Sequence, residues 1–178
     1  IIKEVLKYDR KIIIEELIDD VLEYNISILK TNDKLYISSI EEIETNLEYR
    51  DYVDKCNLEN YLNGNIVRTV PAKISEKMNE EIIDLAKKTI NFLNNTGLSR
   101  IDFLYDKKKK ELYVDEINSI PSCFSHHLWE DANISYKELF NIMISDTIKN
   151  INKDSEMITT MDMDVLKDLK NSDIKEFK

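Results

Sequence analysis

Apolar residues recur along this chain at two different periods. From Glu23 to Lys30 they alternate, with Tyr24, Ile26 and Ile28 on one face. Thr31-Asn32-Asp33 then supplies turn residues, and a second run returns from Lys34 to Ile40. A period of two belongs to a strand that buries one face, so this region predicts an antiparallel pair. Residues 11–18, KIIIEELI, are rich in β-branched Ile and predict a further buried strand. Ile66 to Val70 predicts a short strand ahead of Pro71. Ser99 to Tyr105 and Glu111 to Ile117 predict two more strands, joined by Asp106 and four lysines that read as a solvated hairpin tip.

Helical spacing appears where the alternation stops. Met78, Ile82, Leu85, Ala86, Thr89, Ile90 and Leu93 share one face of a helix, with Ser75 as N-cap and Gly97 as the stop. Ser135 and Glu138 form a capping box ahead of Tyr136, Leu139, Phe140, Ile142, Met143 and Ile148, which predicts a second helix ending near Asn150. Ile2, Val5 and Leu6 give a third, amphipathic pattern at the start of the chain. Glu41 to Gly64 is polar and aperiodic, so it reads as a long loop of the kind that usually carries function. Residues 151–178 show one weak helical pattern, Val165 to Leu169, and are expected to be a tail or a loosely docked helix after a domain spanning 1–150.

Composition narrows the function classes. With 178 residues, 42% of them hydrophobic, the chain can bury a core and is not a disordered tail. A net charge of -10 opposes attraction to nucleic acid or to an anionic membrane, so any bound polyphosphate needs metal ions and locally placed cations. No apolar run reaches the length of a bilayer span, and no signal-peptide pattern opens the chain. Cys56 and Cys123 stand in unrelated contexts and are expected to be free thiols, which suits a cytoplasmic location. Gly64 and Gly97 are the only glycines, which excludes a Gly-rich phosphate loop or dinucleotide fingerprint within this segment. The start at Ile1, inside a helical pattern and without methionine, leads to the expectation that a segment lies upstream.

The chemistry-bearing residues concentrate in the last hairpin. Centring it on the lysine run pairs Asp102 with Glu116 and Arg100 with Asn118, and a period of two then puts all four on one face. Ile101, Phe103 and Tyr113 are expected to point the other way. Three oxygen donors beside a guanidinium suit a hard cation such as Mg²⁺ that also holds phosphates, with Arg100 able to meet a transferring phosphoryl group. The same four residues also fit a cross-strand salt bridge on a solvated sheet face, and spacing alone leaves both readings open.

R-I-D at Arg100 to Asp102, followed by E-I-N at Glu116 to Asn118 and then Pro121, resembles the metal-binding core of the D-alanine:D-alanine ligase family. E-E-L-I at Glu15 to Ile18 is similar to the family's adenine-binding hinge, Glu23 to its ribose-binding acid, and Y-R-D-Y-V-D-K at Tyr49 to Lys55 to its mobile loop. The likeness covers about residues 1–150. It implies an α+β fold, the ATP-grasp carboxyl-terminal catalytic domain, with a mainly antiparallel sheet and flanking helices. It also implies an ATP-dependent carboxylate-amine ligase that joins two D-alanines through an acyl phosphate for peptidoglycan synthesis. Asp102, Glu116 and Asn118 would hold two Mg²⁺, or Mn²⁺. Arg100 would stabilise the acyl-phosphate chemistry and Lys55 would reach the γ-phosphate. Glu15, Glu16 and Ile18 would line the adenine slot, and Glu23 would bond the ribose. The partners implied are small amino acids, with no nucleic acid or membrane, and a homodimer in the full-length protein.

The pattern departs from the family on the acceptor side. Ser122 stands where the family has glycine, and His127-Leu128 where it has the serine and leucine that bind the acceptor carboxylate. Cys56 replaces a mobile-loop tyrosine. The family's amino-terminal domain and upstream ATP-binding lysines have no counterpart, so this segment alone is expected to be inactive. A ligase for another amino-acid or hydroxy-acid acceptor, and a non-catalytic nucleotide-binding homologue, are the alternative readings.

Overall fold

A computed structural model describes residues 2–45 and 66–156. After a four-residue helix α1 (Ile2–Val5), five strands follow: β1 (Val21–Lys30), β2 (Leu35–Thr45), β3 (Ile66–Thr69), β4 (Gly97–Asp106) and β5 (Glu111–Asn118). They form one antiparallel sheet in the order β3-β2-β1-β4-β5. Helix α2 (Glu76–Phe92) lies between β3 and β4, and α3 (His126–Asp131) and α4 (Tyr136–Glu156) follow β5. The fold is therefore α+β, as expected.

One face of the sheet carries Tyr24, Ile26, Ile28, Ile40, Ile101 and Phe103 against Ile82, Ala86 and Ile90 of α2. Ser75 caps that helix by accepting a hydrogen bond from the Met78 amide at 3.2 Å. The helix stops at Leu93 rather than Gly97, because Asn94 takes the left-handed conformation and Gly97, with φ 84°, opens β4. On the opposite face, Leu29 and Leu98 pack with Trp129 of α3 and Leu139 of α4. The turn at Asn32 and Asp33 clasps α4: the Asn32 amide donates to Asp146 at 3.0 Å, and Lys149 pairs with Asp33 at 2.7 Å. Helix α4 continues to Glu156, beyond the end expected near Asn150.

Three further expectations need correction. Residues 11–18 form no strand: Ile13, Ile14 and Leu17 are exposed, and no described strand pairs with them. β2 does not end at Ile40 but runs to Thr45 and pairs with β3. A register shift sets both Ser38 and Ser39 against Ser27, and this extra residue breaks the alternation that sequence reading follows. Tyr113 does not face the core. The last hairpin closes Asp106 on Glu111, and a bulge at Asp115 restores Asp102 opposite Glu116. The bulge turns Leu112 toward the core and Tyr113 outward, where its hydroxyl donates to Glu111. The rest of residues 41–64, apart from the end of β2, lies outside the described residues.

Candidate functional site

The polar residues of the hairpin belong to a row that crosses the whole sheet. Asn25 of β1 stands opposite Asp102 on one side and Glu41 of β2 on the other, and Ser27 stands opposite Arg100. The row therefore runs from Glu116 and Asn118 through Arg100 and Asp102 to Asn25 and Glu41, and ends at Arg68 of β3, whose Nη1 lies 3.5 Å from Glu41. The two buried carboxylates in it, Asp102 and Glu41, are each only 1% exposed.

Arg100 holds Asp102 with two bonds, Nε to Oδ1 at 2.6 Å and Nη2 to Oδ2 at 2.7 Å. Asn118 Nδ2 donates to Asp102 at 3.3 Å and to Glu116 at 3.2 Å. The geometry is that of a fork-shaped ion pair. Burial nevertheless pushes the Asp102 carboxyl up to about 6, because the gain from Arg100 is smaller and the charge of Glu23 and contact with Glu116 add to the rise. The same pair, with the charges of Glu116 and Glu23, outweighs burial at the guanidinium and holds Arg100 cationic. Asp102 is thus a buried anion short of positive charge.

That deficit and the oxygen-rich donors fit a hard divalent cation. The donors are two carboxylates and one amide; among the described residues, no group of three or more His, Cys, Asp or Glu is gathered for a metal. Glu23 belongs to the same neighbourhood, since its charge acts on both Arg100 and Asp102. Lys55 lies outside the described residues. Ser122 opens a 3₁₀ turn (Ser122–Ser125) and is exposed, whereas Leu128 is fully buried and offers no surface to a ligand. Within that turn Cys123, Phe124 and Ser125 all have left-handed backbones, with φ of 47°, 54° and 51°. Non-glycine residues adopt this conformation at a cost, and Phe124 is braced edge-on against Phe140 with ring centres 5.1 Å apart.

Residues 1–145 match the family described as D-ala D-ala ligase C-terminus. The chain belongs to that family. It is 33% identical over 144 residues to the D-alanine--D-alanine ligase of Thermosipho africanus, covering 81% of this chain and 38% of that protein. A D-alanine--D-alanine ligase of Clostridium novyi is 30% identical over 156 residues, covering 85% of this chain and 43% of its own length. The chain therefore spans less than half the length of these relatives. Its fold is similar to the D-alanine-D-alanine ligase structure from Coxiella burnetii, with TM-score 0.67 and 20% identity over 86% of this chain and 39% of that one. D-alanyl-alanine synthetase A from Vibrio cholerae gives 0.57 and 23% over 72% and 39%.

This member of the D-ala D-ala ligase family presents its E-E-L-I segment in an unexpected way. Glu15 and Glu16 are exposed and Ile18 half-buried, and the hairpin lysines, exposed as expected, reach this segment. Lys107 pairs with Asp20 at 3.2 Å, Lys108 with Asp19 at 3.5 Å and Lys109 with Glu16 at 3.0 Å, while the Lys107 amide donates to the Asp20 carbonyl. Asp106 shapes that turn by accepting from the amides of Lys108 and Lys109. Exposed pairs are weak and screened by salt. Raising NaCl to ~0.5 M is therefore expected to speed hydrogen exchange at the Lys107 amide and leave the β1–β4 ladder unchanged. Equal Lys107 rates at both salt levels would show that the pairs do not hold the segment.

Sequence reading missed Asn25, Glu41 and Arg68. The available signal was polar Asn25 and Ser27 among the otherwise apolar residues Tyr24 to Leu29 of β1. Glu41 had no such signal, because it lies past the bulge.

Proposed function

We propose that the full-length protein is an ATP- and Mg²⁺-dependent carboxylate-amine ligase that joins two D-alanines through an acyl phosphate for peptidoglycan synthesis. The observation that carries this reading is the buried Asp102 carboxylate, which lacks enough positive charge and stands beside Glu116, Asn118 and Arg100 on one sheet face. Asp102, Glu116 and Asn118 would hold the metal ions. When bound, these would neutralise phosphate charge as the donor carboxylate attacks the γ-phosphate. Arg100, fixed by two bonds, would then be a preorganised cation for the charge that develops on the acyl phosphate. Glu23 would bond the ribose, Glu15, Glu16 and Ile18 would line the adenine, and Lys55 would reach the γ-phosphate. Ser122 and His127 would line the acceptor side.

The family membership supports the ligase class, and the names of its relatives support D-alanine as substrate. No helix among the described residues is long and apolar enough to cross a membrane. Full-length protein given ATP, Mg²⁺ and D-alanine is expected to release phosphate and form the dipeptide. ADP release only with another amino or hydroxy acid would move the reading to a different acceptor. No turnover with any acceptor would leave a nucleotide-binding homologue.

A further inference from the structure

Three carboxylates among the described residues are buried: Asp102, Glu41 and Asp106. Asp102 belongs to the metal chemistry proposed above. Glu41 is paired where it stands, with His127 Nε2 at 3.3 Å and Arg68 Nη1 at 3.5 Å from one of its oxygens. Asp106 has no part in either. It ends β4, opposite Val21 of β1 on one side and Glu111 of β5 on the other.

A buried carboxylate needs donors, and here the backbone supplies them. Oδ1 of Asp106 accepts from the amides of Lys108 at 2.8 Å and Lys109 at 2.9 Å, and the Asp106 carbonyl accepts from the Lys110 amide at 2.8 Å. These bonds fold four consecutive lysines, which repel one another, into a tight turn closed by Lys110 with φ 58°.

The turn reaches across to the segment ahead of β1. The Lys107 amide donates to the Asp20 carbonyl at 3.0 Å, which adds one rung to the β1–β4 ladder beyond Val21. Lys107, Lys108 and Lys109 meet Asp20, Asp19 and Glu16 in that order. Each of these exposed pairs is weak, so the hold on the segment resides in the rung and in the carboxylate that shapes the turn. In sequence, Glu15, Glu16 and Ile18 precede this junction and Glu23 follows it. The residues that would line the adenine and the one that would bond the ribose are thus set relative to each other at Val21, where Asp106 stands.

We propose that Asp106 is a positioning residue for the nucleotide: it shapes the lysine turn into a clamp that fixes residues 16–20 against the sheet and so sets the affinity for ATP. Only the identity of the ligand rests on the ligase reading.

Asp106→Ala in the full-length protein removes the acceptor for both amides and is expected to raise the KM for ATP about 10-fold. Its kcat and its KM for D-alanine should stay within about 2-fold of wild type. Asp106→Asn keeps an oxygen for the same two amides and should match wild type in all three. Calorimetric binding of ATP, which needs no turnover, should give the same order. Charge reversal tests the clamp through exposed positions that leave the core intact. Lys107→Glu with Lys108→Glu should raise the KM for ATP about 3-fold, as should Asp19→Lys with Asp20→Lys, and all four changes together should restore it. The Asp19 and Asp20 changes add positive charge, which through its field alone would tighten ATP binding. A lower KM in that variant therefore overturns the proposal. So does wild-type ATP affinity in Asp106→Ala, or an equal loss in Asp106→Asn. Wild type that binds no ATP overturns the nucleotide reading together with the proposal, whereas each of the other outcomes leaves that reading standing.

Discussion

Asp102→Asn is expected to lower ligation by the full-length protein on the order of 10³-fold, and to make the metal-free protein more stable than wild type at neutral pH. The two effects have one cause. The Asp102 carboxyl rises from 3.8 to about 6 on folding because burial outweighs its pairing with Arg100. A group raised in this way contributes stability that is fully present below about pH 4 and is lost as pH climbs through 6. Asparagine does not ionise, so it escapes that loss. Between pH 4 and pH 7 the variant should gain on wild type by an amount on the order of 3 kcal/mol. Urea denaturation at those two pH values, without divalent cations, measures the difference. Adding Mg²⁺ should narrow it, because only wild type offers the cation a carboxylate at this position. A stability difference that is flat with pH would show that Asp102 titrates normally and would remove the argument for its charge deficit.

Trp129→Ala should produce the largest loss of stability. Its ring is wholly buried with Leu29, Leu98 and Leu139, and its Nε1 donates to Ser27 Oγ at 3.1 Å. Deleting such a side chain costs about 3–5 kcal/mol, which in a chain of this size lowers Tm by roughly 10 °C. Trp129→Phe keeps most of the apolar contact and removes the hydrogen bond, so its cost should be about 1–2 kcal/mol. Ser27 stands opposite Arg100, and its hydroxyl also donates to the Ser99 carbonyl at 3.1 Å. The indole therefore braces the strand from which the candidate site rises. Thermal melts of the two variants check both figures, and equal Tm shifts would show that the hydrogen bond carries the whole effect.

The strands and helices that bury one face were readable because their apolar periods are clean. β1 shows Tyr24, Ile26 and Ile28 at alternate positions, and α2 shows Ile82, Ala86 and Ile90 on one side. The facing of Asp102 by Glu116 was also readable, though for an incomplete reason. The lysine turn alone would set Asp102 against Asp115, and the bulge supplies the missing step. Residues 11–18 misled because β-branched content favours a strand only where a neighbour completes the ladder. Glu41 and Arg68 were illegible because their place depends on a bulge in β2 and on a helix about eighty residues away in sequence, which local pattern does not encode. The shortage of charge at Asp102 needs burial to be known, and burial is a tertiary property.

The bulge at Asp115 also changes how the chain tolerates length variation. Removing Asp115 would let the register set by the turn run straight through and bring Glu116 opposite Asp102 without an offset. The hairpin can therefore lose that residue and still present the same four side chains. The number of residues between R-I-D and E-I-N is consequently slack, whereas the pairing of their faces is not. Proteins built on this hairpin are better compared by which residues stand across from one another than by how far apart their motifs lie.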